Sequence, residues 1–430
     1  MKKLFLISMM AAVGTAWAAP SVEVTQTAWD DALNAVRVDY TVSDGPAVVT
    51  FSVKKKGGEA VSDTEVTRLT GDVNRLVTGG DHSFAWYPQT AWPKETLAAD
   101  ALEAVVTAWA TNDPPPFMVI DLESPESVRY YATKEAFPGG FGSKMYKTGK
   151  LVMRRIPAAG VTFNMGRTSA DRSYENYYFK DCETQHPVTF TKDFYLAVYE
   201  TTQAQHAHIM SSYPKRAPRS VVGYTDVHPD EALTVYGAAE NHDGIYGYIG
   251  ALRRTDYYWS EDGHKVSDAS IIGRFRALTG VELDLPTESQ WEYACRAGTD
   301  TVYYDGSFCP SNIAWGIYYA DKFGFERIPT GTQEVGLLQP NGWDLYDMSG
   351  NVAEVCLDVY AAQPDYTGDE TDPKGPASRS VTVVIRGGGW KSRVDWYARS
   401  AWRGSISNGS NYNVTQEIGY RLYAPAQAVR

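Results

Sequence analysis

Apolar and polar side chains alternate with a period of two along the first part of the chain. VRVDYTVSD (36–44) and AVVTFSVKKKG (47–57), joined through Asp44-Gly45, are the clearest runs, and LEAVVTAWA (102–110) is a third. A period of two puts one row of side chains on each face of a strand, so these runs predict half-buried β-strands joined by tight turns. The reading is an all-β sandwich over residues 19–113, of immunoglobulin- or fibronectin-like type. It carries no catalytic constellation, and His82 is expected at its surface. Three consecutive prolines, Pro114 to Pro116, then stiffen the chain. Residues 114–150 are expected to act as a connector, with FPGGFG (137–142) as loop and MVIDL (118–122) as a strand that either neighbour could take.

From Leu151 the pattern becomes irregular. VTFNMG (161–166) and Phe194 to Tyr199 read as short strands, and Thr201-Thr202 caps a short helix through Met210. The clearest helix follows Pro286. Thr287 and Gln290 form a capping box, Trp291, Ala294 and Cys295 share one face, and Gly298 ends it. The rest is turn-rich, with Val221 to Gly250 and Ala361 to Ser380 expected as ordered surface loops. The whole is an α+β chain: a β-sandwich, a connector, a larger loop-rich domain over 151–424 and a short tail, 425–430.

Composition adds a compartment and removes some partners. Lys2 and Lys3, the apolar run Leu4 to Val13 and Ala16-Trp17-Ala18 make a secretory leader over 1–18, so export to the periplasm, the cell surface or the medium is expected. No other run is long and charge-free enough for a membrane span. A net charge of −12 leaves nothing to neutralise phosphates, which argues against nucleic acid. The 29 Tyr and 12 Trp fill a loop-rich core, form a stacking surface, or both. Cys182, Cys295, Cys309 and Cys356 allow three pairings, among which the sequence does not choose.

The chain is organised around NGWDLYDMSGNVAEVCLDVY (341–360) in one respect that matters chemically: Asp347, Asn351 and Glu354 flank the Ser349-Gly350 turn. Carboxylates and freed carbonyls at short range suit a hard cation such as Ca²⁺, and equally an ordinary turn with surface acids. LYDMSGNVAE (345–354) resembles the signature of the formylglycine-generating enzymes, the sulfatase-modifying-factor family. RIPAAGVTFNMG (155–166) with FYLAVYETTQAQ (194–205), LPTESQWEYACRAGT (285–299), and IRGGGW (385–390) with IGYRLY (418–423) agree in order. The resemblance spans roughly 150–424 and implies a loop-heavy fold related to C-type lectins.

It also implies chemistry that this chain lacks. The family holds copper between two cysteines after its GGS turn, because soft thiolates suit Cu(I). The matching positions here are Ser392 and Tyr397, Gly389 replaces the turn serine, and Ala353 replaces the tryptophan of the family signature. No copper is therefore expected. His206 and His208, two residues apart on a helix, point to different faces and do not imitate the iron site of a related branch. The family's cysteine partner for the EYAC segment is also missing from YARSAWR (397–403), so Cys295 has lost it. The resemblance carries structural calcium onto Asp347, Glu354 and the carbonyls of Gly350 and Val352, and a second site in part onto Asn312 and the carbonyl of Ile313. Asp321 is a doubtful further ligand of that second site, because the intervening loop differs in length.

Between the GGGW turn and the closing strand, Lys391, Ser392, Arg393, Asp395, Trp396, Tyr397, Trp402, Ser405, Asn408, Asn411 and Tyr412 mix charge, hydroxyl, amide and ring. Rings supply contact area at low entropic cost while small polar groups adapt, so the segment reads as a ligand-binding face or as plain loop surface. The pattern is similar to the variable proteins diversified by retroelements. Two functions follow from different classes. One is a secreted binding or adhesion protein for a protein, peptide or glycan, on a catalytically silent scaffold. The other is an oxidoreductase of the same superfamily with a non-standard metal site, which bound copper or iron would reveal.

Overall fold

The computed structural model describes residues 19–55, 68–88, 102–124, 127–169, 171, 182–209, 227–229, 265–361, 369–376, 382–407 and 417–429. The leader at 1–18, most of the loop expected at 221–250, and Asn408, Asn411 and Tyr412 lie outside them. The chain divides into two compact units, residues 1–146 with 426–430, and residues 147–425.

In the first unit, strands β1 (Ser21–Asp30), β2 (Ala35–Ser43), β3 (Ala47–Lys55), β4 (Leu69–Gly71), β5 (Arg75–Val77), β6 (Gly80–Trp86) and β7 (Leu102–Ala110) form two sheets. Their orders are β1-β2-β6-β4 and β5-β3-β7. The period-two rows become one shared core: Val36, Val38, Tyr40 and Val42 of β2 pack with Val49, Phe51 and Val53 of β3, and with Phe84 and Trp86. Asp44 and Gly45 make the intervening turn with positive φ, 66° and 110°. His82 is not loose on the surface. It stacks on Tyr40 at 5.6 Å and bonds Asp72 at 3.0 Å.

The stretch expected as a connector is instead folded. Phe117, Met118, Val119 and Ile120 are all buried, and β8 (Phe117–Asp121) pairs with β9 (Val128–Tyr131) as a hairpin. FPGGF bends so that Phe137 meets Phe117, Tyr131, Phe141 and Tyr146. That aromatic knot gives residues after the prolines a reason to compact. The expected tail is also ordered: Ala428 N–H bonds the Thr111 carbonyl at 2.8 Å, and Val429 N–H bonds the Tyr130 hydroxyl at 2.8 Å.

The second unit is mostly β with few, short helices, rather than an even α+β mixture. Its strands are β10 (Lys150–Ile156), β11 (Thr162–Met165), β12 (His186–Thr189), β13 (Phe194–Ala197), β14 (Ala314–Trp315), β15 (Ser349–Gly350), β16 (Ala353–Val359), β17 (Glu370–Thr371), β18 (Thr382–Arg386), β19 (Arg403–Ser407), β20 (Ile418–Gly419) and β21 (Tyr423–Pro425). Helices α1 (Gln203–Ala207), α2 (Ile271–Thr279), α3 (Glu288–Arg296), α4 (Ala320–Phe323) and α5 (Val394–Tyr397) lie between them. β13 sits between β10 and β21, and a second sheet runs β19-β18-β16-β20.

The predicted capping box of Thr287 with Gln290 forms, and Thr202, expected only as a cap, makes a second box with Gln205. α3 does not end on Gly298, because Ala297 already takes the left-handed conformation at φ 45°. The Asn341 side-chain amide then donates to the Ala294 and Cys295 carbonyls at 2.7 and 3.0 Å, satisfying groups a helix end leaves open. α3 is buried on almost every side, including Glu288, Glu292 and Arg296.

Those charges belong to a network. Arg386 pairs with Glu292 and sends Nη1 and Nη2 N–H groups to the carbonyls of Ser400, Ala401 and Trp402. Arg296 bonds Glu292 at 2.8 Å and the Gly166 carbonyl at 2.8 Å. Arg403 holds Glu288 through two 2.7 Å bonds and reaches the Ala361 carbonyl at 2.8 Å. Arg399 holds Glu183 in the same forked way at 2.9 and 2.8 Å. Burial alone would raise Glu292, but Arg296 and Arg386 outweigh it and hold the carboxyl below its usual range.

All four cysteines are free thiols, so none of the three pairings forms. Cys295 Sγ lies 3.7 Å from Ser400 Oγ, which places Ser400 where a sulfur partner would stand. Ser400→Cys is expected to lose two free thiols on oxidation and to gain roughly 2–4 kcal/mol, as a long closed loop gives. A thiol titration and melts with and without reductant check this, and an unchanged reductant response would refute it.

Asp358 gives a second expectation. It accepts the Glu288 N–H at 2.6 Å. Burial first, then the Glu288 charge, push it up to about 8. The unfolded chain therefore releases this proton near pH 4 while the folded chain keeps it. The group's contribution to stability is present below that point and is lost as pH rises through about 8. Asp358→Asn retains an acceptor oxygen. It should melt like the wild type near pH 4 and higher than it near pH 8, and a difference independent of pH would contradict the assignment.

Candidate functional site

Three segments converge around β15. Trp315 pairs with Gly350 in parallel register, and at Gly350 (φ 81°) any Cβ would run into the Trp315 backbone. Gly350 N–H bonds the Gly387 carbonyl at 2.8 Å, and Trp390 N–H bonds the Asn351 carbonyl at 2.8 Å. The two glycine-containing motifs of the sequence are thus bonded to one another. Asp347 and Asn351 also hold positive φ, 56° and 61°, which their short polar side chains tolerate.

Around this turn stand three buried carboxylates. Asp347 Oδ2 accepts the Gly336 N–H at 2.6 Å, while its buried Oδ1 has no hydrogen-bond partner among the described residues. Glu200 accepts from Asn351 Nδ2 at 2.6 Å and from Val352 N–H at 3.1 Å. Glu354 is engaged on both oxygens, by Arg421 at 2.6–3.1 Å and by Trp291 Nε1 at 2.7 Å. Burial, then the charges of Asp347 and Glu354, push Glu200 well up, and burial pushes Asp347 up to about 6. Glu200 carried no signal in the sequence, since the turn that reaches it is more than a hundred residues away.

The orphaned Asp347 oxygen and the excess of buried negative charge fit a hard cation. Glu354 does not fit as a free ligand, because Arg421 and Trp291 already use it. Asn312 is exposed with its carbonyl accepting Gln339 N–H at 2.9 Å, and Ile313 is buried. Among the described residues, no group of three or more His, Cys, Asp or Glu side chains is arranged to hold a metal. His206 is buried rather than loosely packed, and its ring bonds the Tyr420 hydroxyl at 3.1 Å.

After the GGGW turn, Ser392 Oγ accepts the Gly389 N–H at 3.2 Å and donates to Glu417 Oε2 at 3.4 Å. A Cβ on Gly389 would lie 2.6 Å from Glu417 Cβ, so the side chain of Glu417 occupies the space of a turn serine. Burial raises Glu417, with Lys391 opposing it. Tyr397 packs edge-on against Trp402 at 5.3 Å. Arg393 bonds Asp395 at 3.1 and 2.8 Å and lies 4.4 Å over Trp396 and 5.0 Å over Tyr319.

Of the residues expected to bind, Lys391 is exposed and Ser392, Arg393, Trp396 and Tyr397 are half-buried. Asp395 and Trp402 are buried, 3% and 5% exposed, and hold the face from behind. The structure adds a neighbouring aromatic group that the sequence did not single out. Arg327 lies 4.2 Å over Tyr318 and 5.1 Å over Trp315, Phe325 stacks on Tyr318, and Phe308 is 70% exposed.

Glu354→Gln keeps the shape but leaves Arg421 buried without its anion. It is expected to cost about 3 kcal/mol or more, read by urea denaturation. A loss below about 1 kcal/mol, the size of an exposed pair, would show that Arg421 is neutralised elsewhere.

The sulfatase-modifying factor enzyme 1-like domain family matches residues 152–424. The chaperone protein LppX of Paenibacillus barcinonensis is 28% identical over 218 residues, 47% of this chain and 71% of that protein. The formylglycine-generating enzyme of Thermomonospora curvata is 35% identical over 115 residues, 24% of this chain and 37% of that enzyme. Among solved structures, Treponema denticola variable protein 1 is similar at 25% identity with a TM-score of 0.45, over 64% of this chain and 95% of that one. Among the described residues, no helix is long and apolar enough to cross a membrane. With the family matched across most of its length, and the paired glycine turns and buried arginines of its second unit in place, this chain belongs to the sulfatase-modifying factor family.

Proposed function

We infer that this protein is an exported ligand-binding or adhesion protein built on a sulfatase-modifying-factor scaffold that no longer performs oxidation. The observation that carries the reading is the fate of the two cysteine positions. Ser392 is tied to Glu417, and Tyr397 packs against Trp402, a hydroxyl and a phenol where Cu(I) needs sulfur. The ligand-binding face is Lys391, Ser392, Arg393, Trp396 and Tyr397, backed by Asp395 and Trp402. Rings interleaved with guanidinium and ammonium groups suit a protein, peptide or glycan partner. The likeness to a protein named as a chaperone supports a role in binding. The N-terminal unit, of immunoglobulin- or fibronectin-like type, serves as a spacer.

Calcium is the cofactor of this reading and is structural. Asp347 and the carbonyls of Gly350 and Val352 hold it, with the buried charge of Glu200 beside them. Glu354 orders the site through Arg421, and Asn312 and Ile313 belong to a second, less complete site.

Three measurements test this. On peptide arrays probed with the full chain, Trp396→Ala with Tyr397→Ala is expected to abolish the hits. Binding that survives would refute the face, and stoichiometric copper or iron in purified protein, with turnover of a cysteine peptide, would favour the oxidoreductase instead. Millimolar calcium should raise Tm by a few degrees, as ligand binding to the folded state does, and Asp347→Asn should remove that response. A calcium-independent Tm in the wild type would remove the cofactor from the proposal.

A further inference from the structure

A cavity of about 560 Å³ opens in the second unit between the end of β11, the chain before β12 and the C-terminus of α3. It shares no residue with the face at 391–402, so the inference is independent of that reading. Its volume falls within the roughly 300–1,000 Å³ of small-molecule sites. Phe163 and Tyr293 line it with ring centroids 5.1 Å apart, and Asn164, Arg167, Gln185 and Asp300 line it with polar groups.

The backbone that presents Arg167 is fixed on both sides. Gly166 N–H donates to Glu292 Oε1 at 2.8 Å, and its carbonyl accepts from Arg296 Nη2 at 2.8 Å. Arg167 N–H bonds the Glu183 carbonyl at 2.8 Å, and Thr168 N–H bonds Asp171 Oδ2 at 3.1 Å. A Cβ on Gly166 (φ 101°) would meet the Thr184 carbonyl at 2.8 Å, so the close approach requires glycine. Buried charges normally satisfied among themselves are here used to clamp one short loop, which fixes a binding site before any ligand arrives.

Thr168, Arg296 and Thr299 of the lining are engaged by side-chain hydrogen bonds, whereas four other polar side chains are uncommitted. Among the described residues, Asn164, Arg167, Gln185 and Asp300 make no side-chain hydrogen bond or ion pair with one another or with a neighbour. Each is a planar group with two adjacent polar atoms. Together they offer donors and acceptors in pairs, with one positive and one negative charge that cancel. Paired donors and acceptors match vicinal hydroxyls, and an aromatic wall matches the apolar face of a pyranose ring. An inorganic anion fits less well, because Asp300 would repel it.

We propose that this cavity is a binding site for a neutral saccharide residue, held through Asn164, Gln185, Arg167 and Asp300 against the Phe163 and Tyr293 rings. Glucose, galactose, mannose, N-acetylglucosamine and inorganic phosphate are titrated into the full chain, followed by saturation-transfer NMR and calorimetry. At least one sugar is expected to bind with millimolar Kd. Asn164→Ala with Gln185→Ala should weaken it about tenfold or more, the loss of one or two hydrogen bonds, at unchanged Tm. Trp396→Ala with Tyr397→Ala should leave it unchanged. An oligosaccharide that binds tighter than its terminal sugar makes the ligand a glycan end, and equal binding makes it a free sugar. No sugar binding, binding that survives the double substitution at Asn164 and Gln185, or binding of phosphate alone would each overturn the proposal.

Discussion

The second unit depends on buried guanidinium groups more than on any sheet. Arg296, Arg386, Arg399, Arg403 and Arg421 are the buried arginines among the described residues, and each faces at least one buried carboxylate. The carboxylate neutralises the charge, and the remaining donors bond loop carbonyls that no strand ladder satisfies. Arg421 alone reaches the carbonyls of Ala197, Val198 and Tyr346 besides Glu354. Lysine could not substitute, because a point charge with three donors cannot bridge a carboxylate and several loops at once. Charges this deep are costly unless every partner is present, so the fold tolerates irregular backbone only while the network is complete.

The same constraint explains which parts of the family's site persist. The turn at 347–354 and the GGGW turn bond each other through Gly350, Gly387, Asn351 and Trp390, and Glu354 ties them to Arg421. These groups hold the fold together and cannot drift. Ser392, Tyr397 and Gly389 carry no such duty. Glu417 fills the space beside Gly389, so a serine side chain would not fit there while Glu417 keeps this position. The candidate saccharide cavity draws on the network too, through Glu292 and Arg296, which makes the rigid core the common support of two separate surfaces.

Some of this was legible in the residues. Val36, Val38, Tyr40 and Val42 announce their strand because a period of two is a local property. Thr287 with Gln290 announces a helix start because a capping box closes within three residues. Other features gave no sign. Glu200, Arg327 and Glu417 are ordinary residues in the sequence, and they acquire roles only from neighbours brought from elsewhere. After Pro116 the strand at 118–122 was legible but its pairing with β9 was not: the rings there needed Phe137 and Tyr146 folded back on them before the stretch ceased to look like a connector. Asp395 and Trp402 looked available for binding and proved buried, because burial of a residue in a short segment depends on what packs over it.

The order of amino acids by itself settled the period-two strands of the first part, the Thr287 helix start and the family of the larger part, and a serine and a tyrosine where the resemblance places two sulfurs. These are statements about spacing and residue type, which local sterics and pattern fix. Only the tertiary structure decided which acids meet which arginines, that Glu354 is held by Arg421 while Asp347 keeps an open oxygen among the described residues, that Ser400 stands opposite Cys295, and that Arg167 stands at the edge of a cavity. Each of those is a contact between residues far apart in the chain, and a side chain's charge, exposure and freedom are set by such contacts rather than by its own neighbours in sequence.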